Sequence, residues 1–160
     1  MLRRSLVALA ILVMLPAAAS AGSFTYYGPQ LGFSQGPDQF VIGGHLKWNA
    51  VAPSLDFVPG VDLGLGDNAT VVSMNGDFHY KLATGSSWQP YVGGGVGLHF
   101  ESVENQRNNT STNETRTGGH LILGAGVPTQ GSSRFFTELK IGFGDSPDMK
   151  VLAGWNYKPH

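Results

Sequence analysis

The chain has 160 residues, of which 10 are Lys or Arg and 11 are Asp or Glu, so its formal net charge at pH 7 is −1. It contains no cysteine, which excludes disulfides and a lipid anchor on a cysteine. It also has no basic patch, which argues against nucleic acid as a partner.

The first residues have the pattern of a secretory signal peptide. Arg3 and Arg4 precede an apolar run over residues 6–15, and Ala19-Ser20-Ala21 forms a small-x-small cleavage site. We therefore predict a signal peptide over residues 1–21 and one domain over residues 22–160. The apolar run is shorter than the about 20 residues that a membrane-spanning helix needs, and no longer run follows.

The rest of the chain predicts an all-β fold. Segments of strand character alternate with turn-forming residues, and none shows the i, i+3, i+4 and i+7 period of an amphipathic helix. The eight predicted strands are 24–34, 39–48, 54–65, 69–82, 88–101, 115–127, 134–144 and 148–158.

The stretch 88–100 shows the alternation most clearly. Its two sets of side chains are Pro90, Val92, Gly94, Val96, Leu98 and Phe100 on one face, and Tyr91, Gly93, Gly95, Gly97 and His99 on the other. Successive side chains of a strand leave opposite faces, so one face is apolar and the other is small or polar. A soluble barrel turns the apolar face inward, whereas a membrane barrel turns it toward lipid.

Nearly all charges within the strands fall on the second, glycine-rich face. Five lysines and five carboxylates lie on that face, as a narrow polar lumen requires because enclosed charges must be paired. The five lysines are Lys47, Lys81, Lys140, Lys150 and Lys158. The predicted polar lumen network is Lys47, Asp56, Asp62, Asp77, His79, His99, Glu101, His120, Glu138, Lys140 and Lys150.

The predicted connections differ in length. Those at 49–53, 83–87 and 128–133 are short, whereas 102–114 is long, polar and without apolar residues that would anchor it. Outer-membrane barrels have short periplasmic turns and longer outside loops, so we predict that 102–114 is a loop facing outside. Pro59 in mid-strand predicts a bulge or a break in the third strand, since proline cannot donate to the ladder.

Aromatic residues gather at the end where the short connections lie. Trp and Tyr prefer the membrane–water interface, where the ring is in apolar surroundings and its polar atom stays hydrated. The predicted interface aromatics are Tyr26, Trp48, Tyr80, Trp88, Phe135, Trp155 and Tyr157.

The chain resembles the small bacterial outer-membrane β-barrel family of the OmpA transmembrane-domain type. The residues that carry this resemblance are the runs Pro90-Tyr91-Val92-Gly93-Gly94-Gly95-Val96-Gly97, Phe136-Thr137-Glu138-Leu139-Lys140-Ile141-Gly142-Phe143-Gly144 and Val151-Leu152-Ala153-Gly154-Trp155-Asn156-Tyr157. The resemblance implies an eight-stranded antiparallel up-and-down transmembrane barrel in the outer membrane of a Gram-negative bacterium, with a mostly plugged interior. It also implies outer-membrane lipid, lipopolysaccharide and the outer-membrane insertion machinery as partners. One departure is that Lys158, Pro159 and His160 follow the last aromatic residues, where family members commonly end on an aromatic.

The five histidines are the candidate metal-binding or catalytic residues of the chain. His99, His120 and Glu101 on neighbouring strands offer a zinc-ligand set, but their spacing matches no compact metal motif. Some eight-stranded barrels modify lipid A with a Ser–His pair, but the chain has no His-x-Ser, and Ser73 and His79 lie too far apart along one strand. We therefore predict no metal, no cofactor and no catalytic residues.

Three function classes remain, of which a lipid-A-modifying barrel enzyme is the least favoured. The favoured one is a non-enzymatic outer-membrane barrel with a structural, adhesive or narrow-pore (porin-like) role. The alternative is a soluble, lipocalin-like periplasmic barrel that holds one small ligand, which eight strands have room for.

Overall fold

The computed structural model describes residues 23–66, 69–105, 110–129 and 131–159. The predicted signal peptide lies outside the described residues. The described chain forms eight strands, which are β1 (Ser23–Gln35), β2 (Gln39–Ala52), β3 (Leu55–Leu65), β4 (Ala69–Lys81), β5 (Gln89–Asn105), β6 (Thr110–Pro128), β7 (Arg134–Gly144) and β8 (Met149–Asn156).

The strands form one closed antiparallel barrel in chain order, which confirms the predicted all-β, up-and-down architecture. Each strand pairs with the next, and β1 closes the ring on β8 from Gln30↔Gly154 to Gln35↔Met149. An isolated bridge, Tyr27↔Tyr157, extends the closure toward the chain ends. Among the described residues, no helix is long and apolar enough to cross a lipid bilayer.

The predicted long loop over 102–114 is wrong in its extent. The β5–β6 ladder continues through Glu101↔Glu114 as far as Asn105↔Thr110, so most of the segment is paired strand. Pairing of β6 with β7 begins only at Gly118↔Gly144, so this hairpin extends past its neighbour. An extension of this kind encloses no barrel interior, and its strands therefore need no apolar alternation. Residues 106–109 lie outside the described residues.

Pro59 does not break the third strand, contrary to prediction. The β3–β4 ladder is in continuous register through Pro59↔Gly76. On the other side, the β2–β3 ladder passes from His45↔Gly60 to Trp48↔Phe57 without a change of register. The register shift between these strands lies nearer the turn, between Trp48 and Ala52. Between these two pairs, Val58 and Pro59 have no paired residue on β2 in this ladder. This gap accommodates the missing N–H of the proline.

The two faces of the sheet differ as the alternation predicts. The outward face carries large apolar side chains in the open, such as Phe33, Leu121 and Val96, which are 66%, 59% and 52% exposed. Charged residues such as Asp62 and Asp77 are buried inside, at 1% and 3% exposure. The barrel thus has an apolar exterior and a polar interior.

Glycines on the inner face make room for the larger inward side chains. A Cβ on Gly124 would overlap the Tyr91 ring, whose hydroxyl donates a hydrogen bond to Glu138 Oε2 at 2.8 Å. Glycine at this position therefore lets an aromatic ring fill the lumen and reach a carboxylate two strands away.

We expect Gly124→Ala to lower the free energy of unfolding by about 1–3 kcal/mol, because the added methyl group overpacks the site of Tyr91. Urea unfolding of the refolded barrel in detergent micelles measures this. The matched control is Gly85→Ala, since a Cβ at Gly85 meets nothing within 4 Å. Equal stability of the two variants would contradict the packing of Tyr91 against Gly124.

Candidate functional site

The barrel interior is the candidate site, and its two ends are distinguished by their turns. The even-turn end carries the connections at 53–54, 82–88 and 129–133, and the odd-turn end carries those at 36–38, 66–68 and 145–148. Inward side chains from strands on opposite sides of the ring meet between these ends.

The centre of the lumen is held by Lys140, which contacts two carboxylates. Its Nζ donates to Asp77 Oδ2 and lies 3.4 Å from Glu138 Oε1. His120 Nε2 lies 2.7 Å from the other oxygen of Asp77, and Tyr91 donates to Glu138. All five side chains are at least nine-tenths buried. This cluster crosses the barrel, since Asp77 is on β4 and Lys140 is on β7.

A second buried cluster surrounds Asp62. Lys150 Nζ is 3.0 Å from Asp62 Oδ2, and Asn75 donates to the same oxygen at 2.9 Å. Gln30 donates to Oδ1 at 2.6 Å. Asp62 therefore accepts from β1, β4 and β8 at once, which satisfies a carboxylate that is only 1% exposed.

At the even-turn end, two lysines share one carboxylate. Lys47 Nζ is 3.1 Å from Asp56 Oδ2, and Lys81 Nζ is 2.8 Å from Oδ1. Arg134 Nη1 donates to Gln89 Oε1 at 3.1 Å. A cavity of about 40 Å³ lies among these side chains, which is room for roughly three water molecules.

At the odd-turn end, the turn at 145–148 folds over the lumen. Ser146 Oγ lies 3.3 Å from His99 Nε2, and His99 Nδ1 lies 2.8 Å from Ser73 Oγ. Arg116 Nε is 3.3 Å from Glu101 Oε2 and also pairs with Glu114. The cavity beneath Ser146 measures about 10 Å³, enough for about one water.

The structure places the sequence-predicted lumen residues on the inner face, in four groups. Lys47 pairs with Asp56, Lys150 pairs with Asp62, and Glu101 pairs with Arg116. The central group contains Asp77, His120, Glu138 and Lys140, with His79 beside it. His99 lies apart from this group, at the odd-turn end. The joint role of the lumen residues as an ion-pair network stays a prediction.

Two sequence assignments differ from the structure. Lys158, counted among the lumen lysines, is exposed beyond the end of β8. Tyr26, assigned to the membrane interface, is opposite the inward Lys47, and its ring lies 5.9 Å from Lys158 Nζ. Tyr26 keeps the register of the rest of β1, in which Gln30 and Ser34 also face inward, and the register shift affects only the residues before it.

The remaining predicted interface aromatics lie on the outer surface or at the turns of the even-turn end. Phe135 and Trp155 have ring centroids 5.1 Å apart, and Trp48 contacts Phe24 and Phe57 at 5.3 and 6.4 Å. Tyr80, Trp88 and Tyr157 are 49%, 50% and 41% exposed.

The zinc-ligand set considered from the sequence, His99, His120 and Glu101, does not converge on one point. His120 faces Asp77, His99 faces two serines, and Glu101 faces Arg116. Within the described residues, the group whose ligand atoms do converge, within 4.8 Å, is Asp77, His79 and Glu138. Lys140 contacts both of these carboxylates, so an ammonium group already supplies the positive charge that a metal would bring.

Sequence reasoning missed the Ser73–His99 pair, because the two residues lie on neighbouring strands and only the register Ser73↔His99 brings them together. Both are at most 4% exposed, and the second histidine nitrogen faces the Ser146 hydroxyl rather than a carboxylate. A hydrolase needs a base oriented by a third group and space for substrate at the nucleophile. The 10 Å³ cavity beside His99 offers no space for an acyl chain.

Other inward residues were missed although a signal existed. Arg116 and Arg134 lie four residues before His120 and Glu138, respectively, and so belong to the same inner face. Tyr91 was recognised as inward but not as a hydrogen-bond donor. Its partner is on another strand, and sequence alternation alone identifies no partners across the lumen.

We expect Asp77→Asn to lower the free energy of unfolding by about 3–5 kcal/mol, because it leaves the buried ammonium of Lys140 with one carboxylate fewer and disturbs His120. Reversible urea unfolding in detergent or lipid measures the change. Glu138→Ala should cost less, since Lys140 keeps Asp77. The control Glu114→Gln, at an exposed ion pair, should leave stability unchanged, and an equally silent Asp77→Asn would disprove a central ion-pair network.

Comparison with known proteins finds similarity in structure alone. No family model matches the sequence, and no curated protein matches it. Neisserial surface protein A superposes with a TM-score of 0.67 at 12% identity, over 85% of this chain and 96% of that one. The N-terminal β-barrel domain of Pseudomonas aeruginosa OprF gives 0.65 at 13% identity, over 86% and 99%. A structure described as a de novo design of transmembrane β-barrels gives 0.55 at 19% identity, over 86% and 96%. The resemblance to small outer-membrane barrels is thus confirmed at the level of the fold, and this chain has the eight-stranded barrel architecture of those proteins.

Proposed function

We propose that the chain is a non-enzymatic integral β-barrel protein of the bacterial outer membrane. The observation that carries this proposal is the distribution of side chains in a closed barrel, with apolar residues outside and paired charges inside. A lipid-facing exterior explains why Phe33, Leu121 and Val96 project into the open. Closure explains how every strand satisfies its backbone polar groups without an edge in the hydrocarbon region.

The soluble, lipocalin-like alternative requires the opposite distribution. A ligand-holding soluble barrel has an apolar interior, whereas this interior contains Asp62, Asp77, Lys140 and Lys150, all buried. The outer surface would also present to water a continuous apolar belt far larger than soluble monomers expose. The residues of the inner face and those of the outer face therefore both favour a membrane-embedded barrel over a soluble one.

The proposed lumen is mostly plugged. The central cluster around Lys140 lies between the two small cavities, and Lys140 lines both of them. Side chains thus occupy the middle of the barrel, as expected for eight strands. This supports a structural or adhesive role, and it limits any porin-like role to a narrow pore.

The outer aromatic residues support the orientation of the barrel in the membrane. Trp48, Tyr80, Trp88, Trp155 and Tyr157 share the even-turn end, where indole and phenol groups would face lipid head groups. With the even-turn end on the periplasmic side, the β5–β6 hairpin at the opposite end would extend outward from the cell. Lipid and lipopolysaccharide are the proposed surroundings, and the outer-membrane insertion machinery is the proposed assembly partner.

Cell fractionation combined with gel migration tests the proposal. We expect the protein in the outer-membrane fraction, with an unheated band that migrates differently from the boiled one because the folded barrel resists detergent. Release of the protein into the soluble periplasmic fraction would overturn the membrane proposal.

We also expect Leu139→Arg to lower the free energy of unfolding from lipid by about 2–4 kcal/mol, because Leu139 is in mid-strand on the outer face, beside Leu123 and Val151. The measurement is equilibrium folding into phospholipid vesicles. The matched control is Val127→Arg at the end of β6, where an interfacial arginine should cost only about 0–1 kcal/mol. Equal small effects at both positions would indicate that the outer face is solvated.

A further inference from the structure

The even-turn cavity has more positive than negative groups around it. Four cationic side chains line it, together with two carboxylates, Asp77 and Glu138. The cationic groups are Lys47, Lys81, Arg134 and Lys140. We call the outer part of this cavity, bounded by Lys47, Lys81 and Arg134, the basic vestibule.

Around this cavity, the four cations meet three carboxylates, Asp56, Asp77 and Glu138, which leaves one positive charge in excess. Asp77 and Glu138 are both engaged with Lys140 deeper in the lumen. Asp56 is shared between Lys47 and Lys81, so one carboxylate offsets two ammonium groups. Side-chain exposures of 16% and 23% keep these lysines within reach of the cavity.

Arg134 is the cation of the basic vestibule that is not paired with Asp56. Its guanidinium has five N–H donors, and the partner that the described residues provide is the neutral oxygen of Gln89. No carboxylate among the described residues lies within ion-pair distance of it. The vestibule wall is open at Gly126, where the nearest atom to an added Cβ would be the Phe135 carbonyl oxygen at 3.7 Å.

We propose that the basic vestibule binds a small inorganic oxyanion of the phosphate or sulfate class. Arg134 would donate from its planar fork and the two lysines from their ammonium groups, which is the donor set that oxyanions prefer. The partly enclosed walls strengthen these interactions relative to bulk water. A volume of about 40 Å³ limits the ligand to a single small group and excludes a nucleotide.

The two ends of the barrel differ in charge, so they differ in their attraction for anions. In the part of the odd-turn end that the structure describes, Glu101, Glu114, Asp145 and Asp148 are set against Arg116. That end repels anions, whereas the basic vestibule attracts them. Anion binding is therefore expected at the even-turn end alone.

Isothermal titration calorimetry of the refolded barrel in zwitterionic micelles, with inorganic phosphate at constant ionic strength, tests this proposal. We expect saturable binding of one phosphate per barrel. Arg134→Gln and Lys81→Gln should each weaken it by about tenfold or more, because each removes a charge-assisted hydrogen bond. Neither variant strands a carboxylate, since Gln89 is neutral and Asp56 keeps Lys47.

The matched control is Arg116→Gln, which removes an arginine at the opposite end and should leave phosphate binding unchanged. Heat-modifiable migration verifies that each variant is folded, and either vestibule variant suffices if the other fails to fold. Absence of saturable binding to the folded wild-type barrel would overturn the proposal. An equal loss in Arg116→Gln would do so as well, because it would show a general effect of net charge.

Discussion

Closure of β1 on β8 is the constraint on which the rest of the structure depends. Eight strands each pair on two sides, so the barrel has no open edge along its closed wall. The six residue pairs from Gln30↔Gly154 to Gln35↔Met149 complete the ring. Closure at this strand number also fixes a narrow interior, so the inward side chains must fit one another in size and in charge.

The requirement for paired charges follows from that narrow interior. An ion enclosed away from water is tolerated when an opposite charge and hydrogen bonds replace its hydration. Asp62 meets this condition with donors from three other strands, and Asp77 meets it with Lys140 and His120. Such contacts connect strands that are not neighbours in the sheet. The polar interior thus holds opposite walls of the barrel together, while the backbone ladder holds adjacent strands.

Charge is distributed unevenly along the lumen. Among the described residues, Asp62 is paired with Lys150, the centre has two carboxylates around Lys140, the even-turn end has an excess of cations, and the odd-turn end has an excess of carboxylates. This polarity distinguishes the two mouths of what is otherwise a regular barrel. The extended β5–β6 hairpin distinguishes them further, since it lengthens the wall on the odd-turn side only.

The alternation of side chains, read from the sequence, determined much of the fold. Segments such as 88–100 and 134–144 predicted their strands because a period of two is imposed by local backbone geometry. The same period identified which residues face inward, including Asp77, Glu138 and Lys140. The same period puts Tyr26 on the inner face with Gln30 and Ser34, so its assignment to the membrane interface went against the alternation. The alternation failed at 102–114, where a strand continues beyond the barrel without it.

Only the tertiary structure decided which inward residues meet. Asp77 and Lys140 are 63 residues apart, and their contact depends on how strands on opposite walls are staggered around the closed ring. Ser73 and His99 meet because of the β4–β5 register. Arg134 donates to the neutral amide oxygen of Gln89, a partner on another strand. Alternation is a property of each strand alone, whereas pairing across the lumen depends on register and stagger around the whole barrel. The sequence therefore determined the two faces of this protein, and barrel closure determined the partners within it.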